Sequence, residues 1–204
     1  MKDQQKFPVI ETARLILRKP LQRDANALME VTRDEAVMQY YGMVAFGCIA
    51  EALEEINWFN QIFTHAEGIR WVITEKGEDI YIGDIGFNNY KIAHSRAEIG
   101  FKLTRGSWHN GIMSEALAPV LDYGFTAMQL NRIEAVVDPE NAACLCMLKR
   151  AGFATEGILR EYESEAKGYV DLVMLSLLKK ERQALFKSGS QEFMQLRREK
   201  PAPL

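Results

Sequence analysis

Residues 97–124 read as a strand, a tight turn and an amphipathic helix in direct succession, and this junction constrains the fold more than any other stretch. Ala97 to Leu103 alternates, with Ile99, Phe101 and Leu103 on one side. From Met113 the apolar and small positions recur at 113, 116, 117, 120, 121 and 124, the spacing of one helix face. Between them lies Arg105-Gly-Ser-Trp-His-Asn-Gly111. A strand that enters a helix through a glycine turn leaves the helix's first N–H groups without partners. Those donors and the positive end of the helix dipole suit an anion, and Gly111 has no Cβ to keep a phosphate away. Many such junctions bind nothing, so the turn alone does not decide function.

The rest of the chain supplies a sheet and further helices. Ala13 to Arg18 alternates as a strand, and residues 1–12 are polar and expected to fray. Asp24 is the expected N-cap of a helix over 25–33. Residues 49–65 show helical spacing, and 69–75 and 80–88 read as a hairpin joined by Lys76-Gly77-Glu78-Asp79. Gly83 and Gly86 predict a bulge or a close backbone approach. Pro119 lies inside the helix after Gly111, so a kink or loosening is expected near 115–119. Residues 131–137 form a strand. A helix follows, with Asp138 as its N-cap and Gly152 as its C-terminal glycine. Two last strands, 153–162 and 169–178, are joined by Ala166-Lys167-Gly168, and a short helix covers 178–187. This order divides the chain into an extension (1–12), one domain (13–187) and a polar tail (188–204). It predicts an α/β (α+β) fold, a mostly antiparallel sheet with helices on both faces.

Composition narrows the function classes. A net charge of −3 lacks the basic excess of a nucleic-acid binder. Cys48, Cys144 and Cys146 form neither a disulfide framework nor a zinc spacing, and the three histidines do not cluster, so no metal is expected. No run reaches the length of a membrane span and no signal-peptide core is seen, which predicts a cytoplasmic protein.

Trp108-His109-Asn110-Gly111-Ile112-Met113-Ser114-Glu115-Ala116 resembles the acetyl-CoA-binding motif of GNAT N-acetyltransferases, in particular the ribosomal-protein N-terminal acetyltransferase (RimJ/RimL-type) branch. His109 stands where that pattern has a glycine, and Trp108 where the wider superfamily often has Gln or Arg. Thr12 to Arg18, Asn141 to Phe153, Leu159 to Glu163 and Tyr169 to Asp171 extend the resemblance over most of residues 12–178. It implies acetyl-CoA as acyl donor and two neighbouring parallel strands, near 97–103 and 132–138, that splay apart to admit the pantetheine arm. It also implies a primary-amine acceptor, foremost a protein or peptide N-terminus, with a small amine (polyamine, amino acid or antibiotic) or a CoA-binding domain without turnover as the alternatives. A monomer or homodimer is compatible with it.

On that resemblance the cofactor residues are Phe101, Lys102 and Leu103 through their backbone, the turn and helix start Trp108, His109, Asn110, Gly111, Ile112, Met113 and Ser114, and Asn141 and Lys149. Acyl transfer needs an amine stripped of its proton and a proton for the departing thiolate. Glu163 occupies the position of a proposed base in some relatives; it also fits an exposed strand glutamate. Cys144 occupies the position of a hydroxyl residue proposed as proton donor. It also belongs to a packing stripe with Met147, Leu148 and Ala151. Tyr40, Tyr41, Trp58 and Phe59 either line the acceptor pocket or pack the core. Glu161, Glu163 and Glu165 alternate, so a regular strand would carry all three on one face and attract a basic acceptor.

Overall fold

A computed structural model describes residues 6–42, 44–165 and 168–184. The polar tail over 188–204 lies outside these residues, as do Ala166 and Lys167 of the last turn. The strands are β1 (Ile10–Glu11), β2 (Leu15–Arg18), β3 (Ile69–Glu75), β4 (Gly83–Lys91), β5 (Arg96–Leu103), β6 (Arg132–Val137), β7 (Ala154–Glu165) and β8 (Gly168–Leu178). They form one sheet in the order β1-β2-β3-β4-β5-β6-β8-β7. Every pairing is antiparallel except β5 with β6. The helices are α1 (Ala25–Arg33), α2 (Glu35–Met38), α3 (Ile49–Thr64), α4 (Ile112–Thr126) and α5 (Ala142–Arg150). Residues 179–184 are also helical.

The sheet separates two cores. On one face α4 and α5 cover Leu15, Trp71, Ile85, Phe87, Ile99 and Ile133. On the other, α1 and α3 bury Leu28, Ile56 and Phe59 against Val72 and Tyr81. The buried stripe of α4 is Ile112, Ala116, Leu117, Val120, Leu121, Gly124 and Phe125. It starts one residue earlier than the sequence spacing suggests, with Ile112 fully in the core and Met113 only partly buried against it. Pro119 does not end α4, which is assigned as one helix through it. The segment just before Ala13 is held in place: Phe7 packs against the rings of Phe63 and Trp71, and the Trp71 indole N–H donates to the Pro8 carbonyl at 2.9 Å.

Local capping differs from the sequence reading twice. Asp24 does not cap α1 with its side chain; its carboxylate accepts from the Leu21 N–H and from the Arg18 guanidinium. Asn141, not Asp138, caps α5, with Oδ1 accepting from the Cys144 N–H at 3.0 Å. Asp138 closes the preceding turn through the Glu140 N–H. Gly152 ends α5 with φ 101°, as its left-handed position requires.

The β5–β6 pair carries the feature that matters most for function. The two strands pair only at Arg96–Arg132, Ala97–Ile133 and Glu98–Glu134. Beyond Glu98, β5 continues with β4 and β6 continues with β8, so the strands part and a cleft opens in the sheet. The second strand of the predicted hairpin begins at Gly83, and the irregularity in β4 falls at Asn88–Lys91 rather than at its glycines. Gly86 instead permits close approach: a Cβ there would lie 2.0 Å from the Ile69 carbonyl oxygen. Gly157 on β7 has no atom within 4 Å of such a Cβ. Gly86→Ala should therefore cost more than about 3 kcal/mol and Gly157→Ala less than about 0.5 kcal/mol in urea denaturation, since only the first forces backbone to move. Similar losses for both would show that this contact does not constrain the sheet.

Candidate active site

The turn after β5 is built largely from backbone. The Trp108 indole N–H donates to the Leu103 carbonyl at 3.0 Å, tying the turn to the end of β5. His109 has φ 60° and Gly111 has φ 72°. The left-handed conformation costs a non-glycine residue about 1–2 kcal/mol, so His109 takes up in strain what a glycine would adopt freely. Its side chain is exposed. Gly111 then occupies the N-cap position of α4 with no side-chain cap, and the first N–H groups of the helix face outward.

One cation at this turn is not evident from the local motif. The Arg14 Nε donates to Glu115 Oε2 at 2.6 Å, its Nη1 donates to the Asn110 carbonyl at 3.1 Å, and Thr12 donates to Glu115 Oε1. The Thr12 hydroxyl and Arg14 hold the Glu115 carboxyl below the usual range against a small desolvation penalty. Arg14 Nη2 lies 3.7 Å from where a Cβ on Gly111 would stand. The only signal for this in sequence was the T-A-R run just before β2, whose Arg14 is 101 residues from Glu115.

Two cavities meet beside the parted strands. The first, about 460 Å³, runs along Phe101, Lys102 and Leu103 to Trp108, His109, Gly111, Ile112, Met113 and Ser114, and is closed by Asn141, Cys144 and Met147. Of the residues expected to hold a cofactor, Asn110 and Lys149 line neither cavity; Lys149 stands exposed in the last turn of α5. The second, about 310 Å³, lies between α3, the Tyr40–Gly42 segment, β5, β6 and β7. Tyr40, Tyr41, Phe101, Asn141 and Cys144 line both.

The second cavity is acidic. Glu55, Glu98, Asp138, Glu163 and Glu165 line it, against Arg70 as the one basic side chain. The expected row of alternating glutamates is corrected by a bulge in β7. The register with β8 shifts between Leu159 and Glu163, and Glu161 has φ 49°, so Glu161 leaves the face that Glu163 and Glu165 share. Its N–H donates to Asp171 instead. Glu98 of β5 and Glu55 of α3 supply the carboxylates that local spacing did not reveal. Burial, with Glu163 as a nearby like charge, holds the Glu98 carboxyl above its ordinary value, although Asn89 donates to it at 3.1 Å. Burial likewise raises Glu55. Trp58 also lines this cavity, whereas Phe59 is fully buried core.

A buried charge cluster forms the floor. Arg70 of β3 donates through Nε to Asp84 Oδ1 at 2.7 Å, through Nη1 to the Gly100 carbonyl at 3.0 Å and through Nη2 to the Tyr41 hydroxyl at 2.8 Å. Tyr81 donates to the other oxygen of Asp84. The Lys102 ammonium lies 3.4 Å from Asp84 and 3.8 Å from Glu55 but makes no hydrogen bond among the described residues. Desolvation opposes the charge on Lys102, yet Asp84, Tyr41 and Glu55 together outweigh it and the ammonium is held above its ordinary value. Asp84 is held below the carboxylate range: burial opposes its charge, but Lys102 and Arg70 outweigh it. Cys144 has no such partners, and burial pushes its thiol up to about 12.

Among the described residues, no helix is long and apolar enough to cross a membrane. Residues 14–154 match the acetyltransferase (GNAT) domain model. An N-acetyltransferase described as uncharacterized, p20 of Bacillus licheniformis, is 39% identical over 170 residues, covering 83% of this chain and 96% of that protein. The spermidine N(1)-acetyltransferase of Escherichia coli is 26% identical over 143 residues, covering 69% of this chain and 74% of that protein. Mycobacterium smegmatis RimJ, solved in complex with CoA-disulfide, superposes with a TM-score of 0.77 at 25% identity over 89% of this chain and 94% of that one. The splayed strand pair, the glycine turn into α4 and these matches together make the chain a member of the GNAT family, an acetyl-CoA-dependent N-acyltransferase.

Proposed function

We propose that the chain transfers the acetyl group of acetyl-CoA to a primary amine that carries further positive charge, foremost the N-terminal amine of a basic protein or peptide. The observation behind this reading is the wall of five carboxylates around a cavity that shares five residues with the groove along β5 and α4. Carboxylates in a partly enclosed site concentrate cations and disfavour acidic acceptors. A second reading, a free polyamine, is supported by the small size of that cavity, about 310 Å³, and by the spermidine-acetylating relative.

The residues present suit the acyl donor. The N–H groups of Ile112, Met113 and Ser114 and the Arg14 guanidinium would hold its pyrophosphate, with no Cβ at Gly111 in the way. The free edge of β5 from Gly100 to Leu103 would pair with the pantetheine amides, and Asn110 and Lys149 stand outside this path. The donor supplies an activated acyl group. Glu163 is the proposed base, receiving the amine's proton through water, with Glu98 across the cavity to hold the ammonium before it is deprotonated. Cys144 then serves as packing for α5, in line with its place against the main core.

Gly111→Val would put a branched side chain at φ 72° and in the phosphate path, so CoA affinity should fall at least tenfold, about 1.4 kcal/mol, by calorimetry. Unchanged affinity would move the pyrophosphate elsewhere.

Matched peptides with basic or acidic second and third residues, alongside spermidine, should rank basic over acidic at low salt. The preference should shrink by about tenfold in Glu98→Gln, and at high salt. It should also fade earlier on acidification than an ordinary glutamate would dictate, because the raised Glu98 carboxyl takes up its proton at higher pH. Spermidine turned over with no peptide acetylated would replace the first reading by the second, and equal rates on basic and acidic acceptors would refute both.

A further inference from the structure

Breaking the donor's carbon–sulfur bond leaves an electron pair on sulfur, and a proton held beside it lowers the barrier. Cys144 is poorly suited to give that proton, with its thiol pushed up to about 12 by burial. Phe101 has no proton to give, and the Asn141 carboxamide, which caps α5 through its oxygen, has only amide N–H groups that are far too weakly acidic. Of the residues common to both cavities, only Tyr40 and Tyr41 carry hydroxyls. Tyr41 is the one that is anchored. Its oxygen accepts from Arg70 Nη2 at 2.8 Å, and the same guanidinium reaches the Gly100 carbonyl at 3.0 Å, just past the point where β5 leaves β6. Since Arg70 can only donate, the hydroxyl hydrogen of Tyr41 is not used in that bond, and no acceptor among the described residues takes it.

We propose that Tyr41 is the proton donor to the departing thiolate, with Arg70 and Lys102 as positioning residues that stabilise the phenolate it leaves. This rests on the acyl-transfer reading above. The amine's electron pair forms the carbon–nitrogen bond, the carbon–sulfur bond breaks with its pair on sulfur, and the Tyr41 proton passes to that sulfur. The amine's surplus proton leaves through water at Glu163, and solvent reprotonates Tyr41. Amine and thioester become amide and thiol, with no other reactant required.

The surroundings of Tyr41 explain an otherwise costly feature. A buried ammonium without a hydrogen bond is expensive to fold around, yet Lys102 Nζ lies only 5.0 Å from the centre of the Tyr41 ring. In the resting protein Lys102 has only its ion pairs with Asp84 and Glu55, at 3.4 and 3.8 Å, and charge that develops on the phenol during turnover adds a further partner. The charged groups around it are Arg70 of β3, Asp84 of β4, Lys102 of β5 and Glu55 of α3, with Glu163 and Glu165 of β7 beside the adjoining Gly42.

Tyr41→Phe should lower kcat about a hundredfold while CoA affinity by calorimetry changes less than about threefold, the split expected of a group acting only in the transition state. Replacement of Tyr41 by 2,3,5-trifluorotyrosine, nearly the same size, should shift the alkaline limb of kcat to lower pH, which a packing role would not do. It also carries the test if Tyr41→Phe fails to fold in a thermal melt. A Tyr41→Phe enzyme within about threefold of wild type, beside a Cys144→Ala enzyme that loses a hundredfold, would place the donor at Cys144 and overturn the proposal. An alkaline limb unmoved by fluorination would overturn it as well. Wild-type release of CoA in the same assay reports acyl transfer itself, so either failure leaves that reading standing.

Discussion

The parting of β5 from β6 after Glu98 is the constraint on which the rest of the site depends. A paired strand has no backbone groups to spare, because its N–H and C=O are taken by its neighbours. Once β6 turns away with β8, the free edge of β5 is available along the length that a ligand must follow. The gap also lets side chains from α3, β5, β6 and β7 converge on a space that a closed sheet would fill. Both cavities exist because one parallel pairing is only three residues long.

The floor of that gap holds charge rather than hydrocarbon. Arg70, Asp84, Lys102 and Tyr81 are all nearly inaccessible to solvent, and their mutual bonds offset much of the desolvation cost. Gly100 makes the arrangement possible: a Cβ there would stand 2.9 Å from Arg70 Nη1. The cluster links β3, β4 and β5 to the Tyr41 segment, so the wall common to both cavities is fastened to the middle of the sheet. An apolar floor of similar volume would be easier to fold, but it would leave Tyr41 without an anchor.

The acidic cavity and the cationic turn divide the surface by charge. Arg14 stands at the turn before α4, where we propose the donor's phosphate, and glutamates line the cavity beyond Phe101 that we propose for the amine. Each ligand is therefore favoured at its own end and disfavoured at the other. The strain at His109 fits the same pattern: backbone conformation is kept even where the residue type pays for it, because the N–H groups that follow are what the turn provides.

What the sequence determined by itself is whatever rests on contacts between near neighbours. The apolar stripe of α4, the glycine at 111, the period of β5 and the C-terminal glycine of α5 depend on residues a turn or two apart, and spacing alone reveals them. The GNAT resemblance carried that local reading to the splayed pair and to the donor groove. Only the tertiary structure decided what depends on distant segments. The bulge that removes Glu161 from the acidic face comes from the register of β7 on β8. Arg14 reaches the α4 turn only because β2 delivers it there, and Asn141 rather than Asp138 caps α5 because the preceding turn uses Asp138 first. Glu55, Glu98 and Glu163 lie far apart in the chain and meet only when α3, β5 and β7 close on one cavity. Their shared electrostatics follow from burial and mutual distance, two quantities that residue order does not contain.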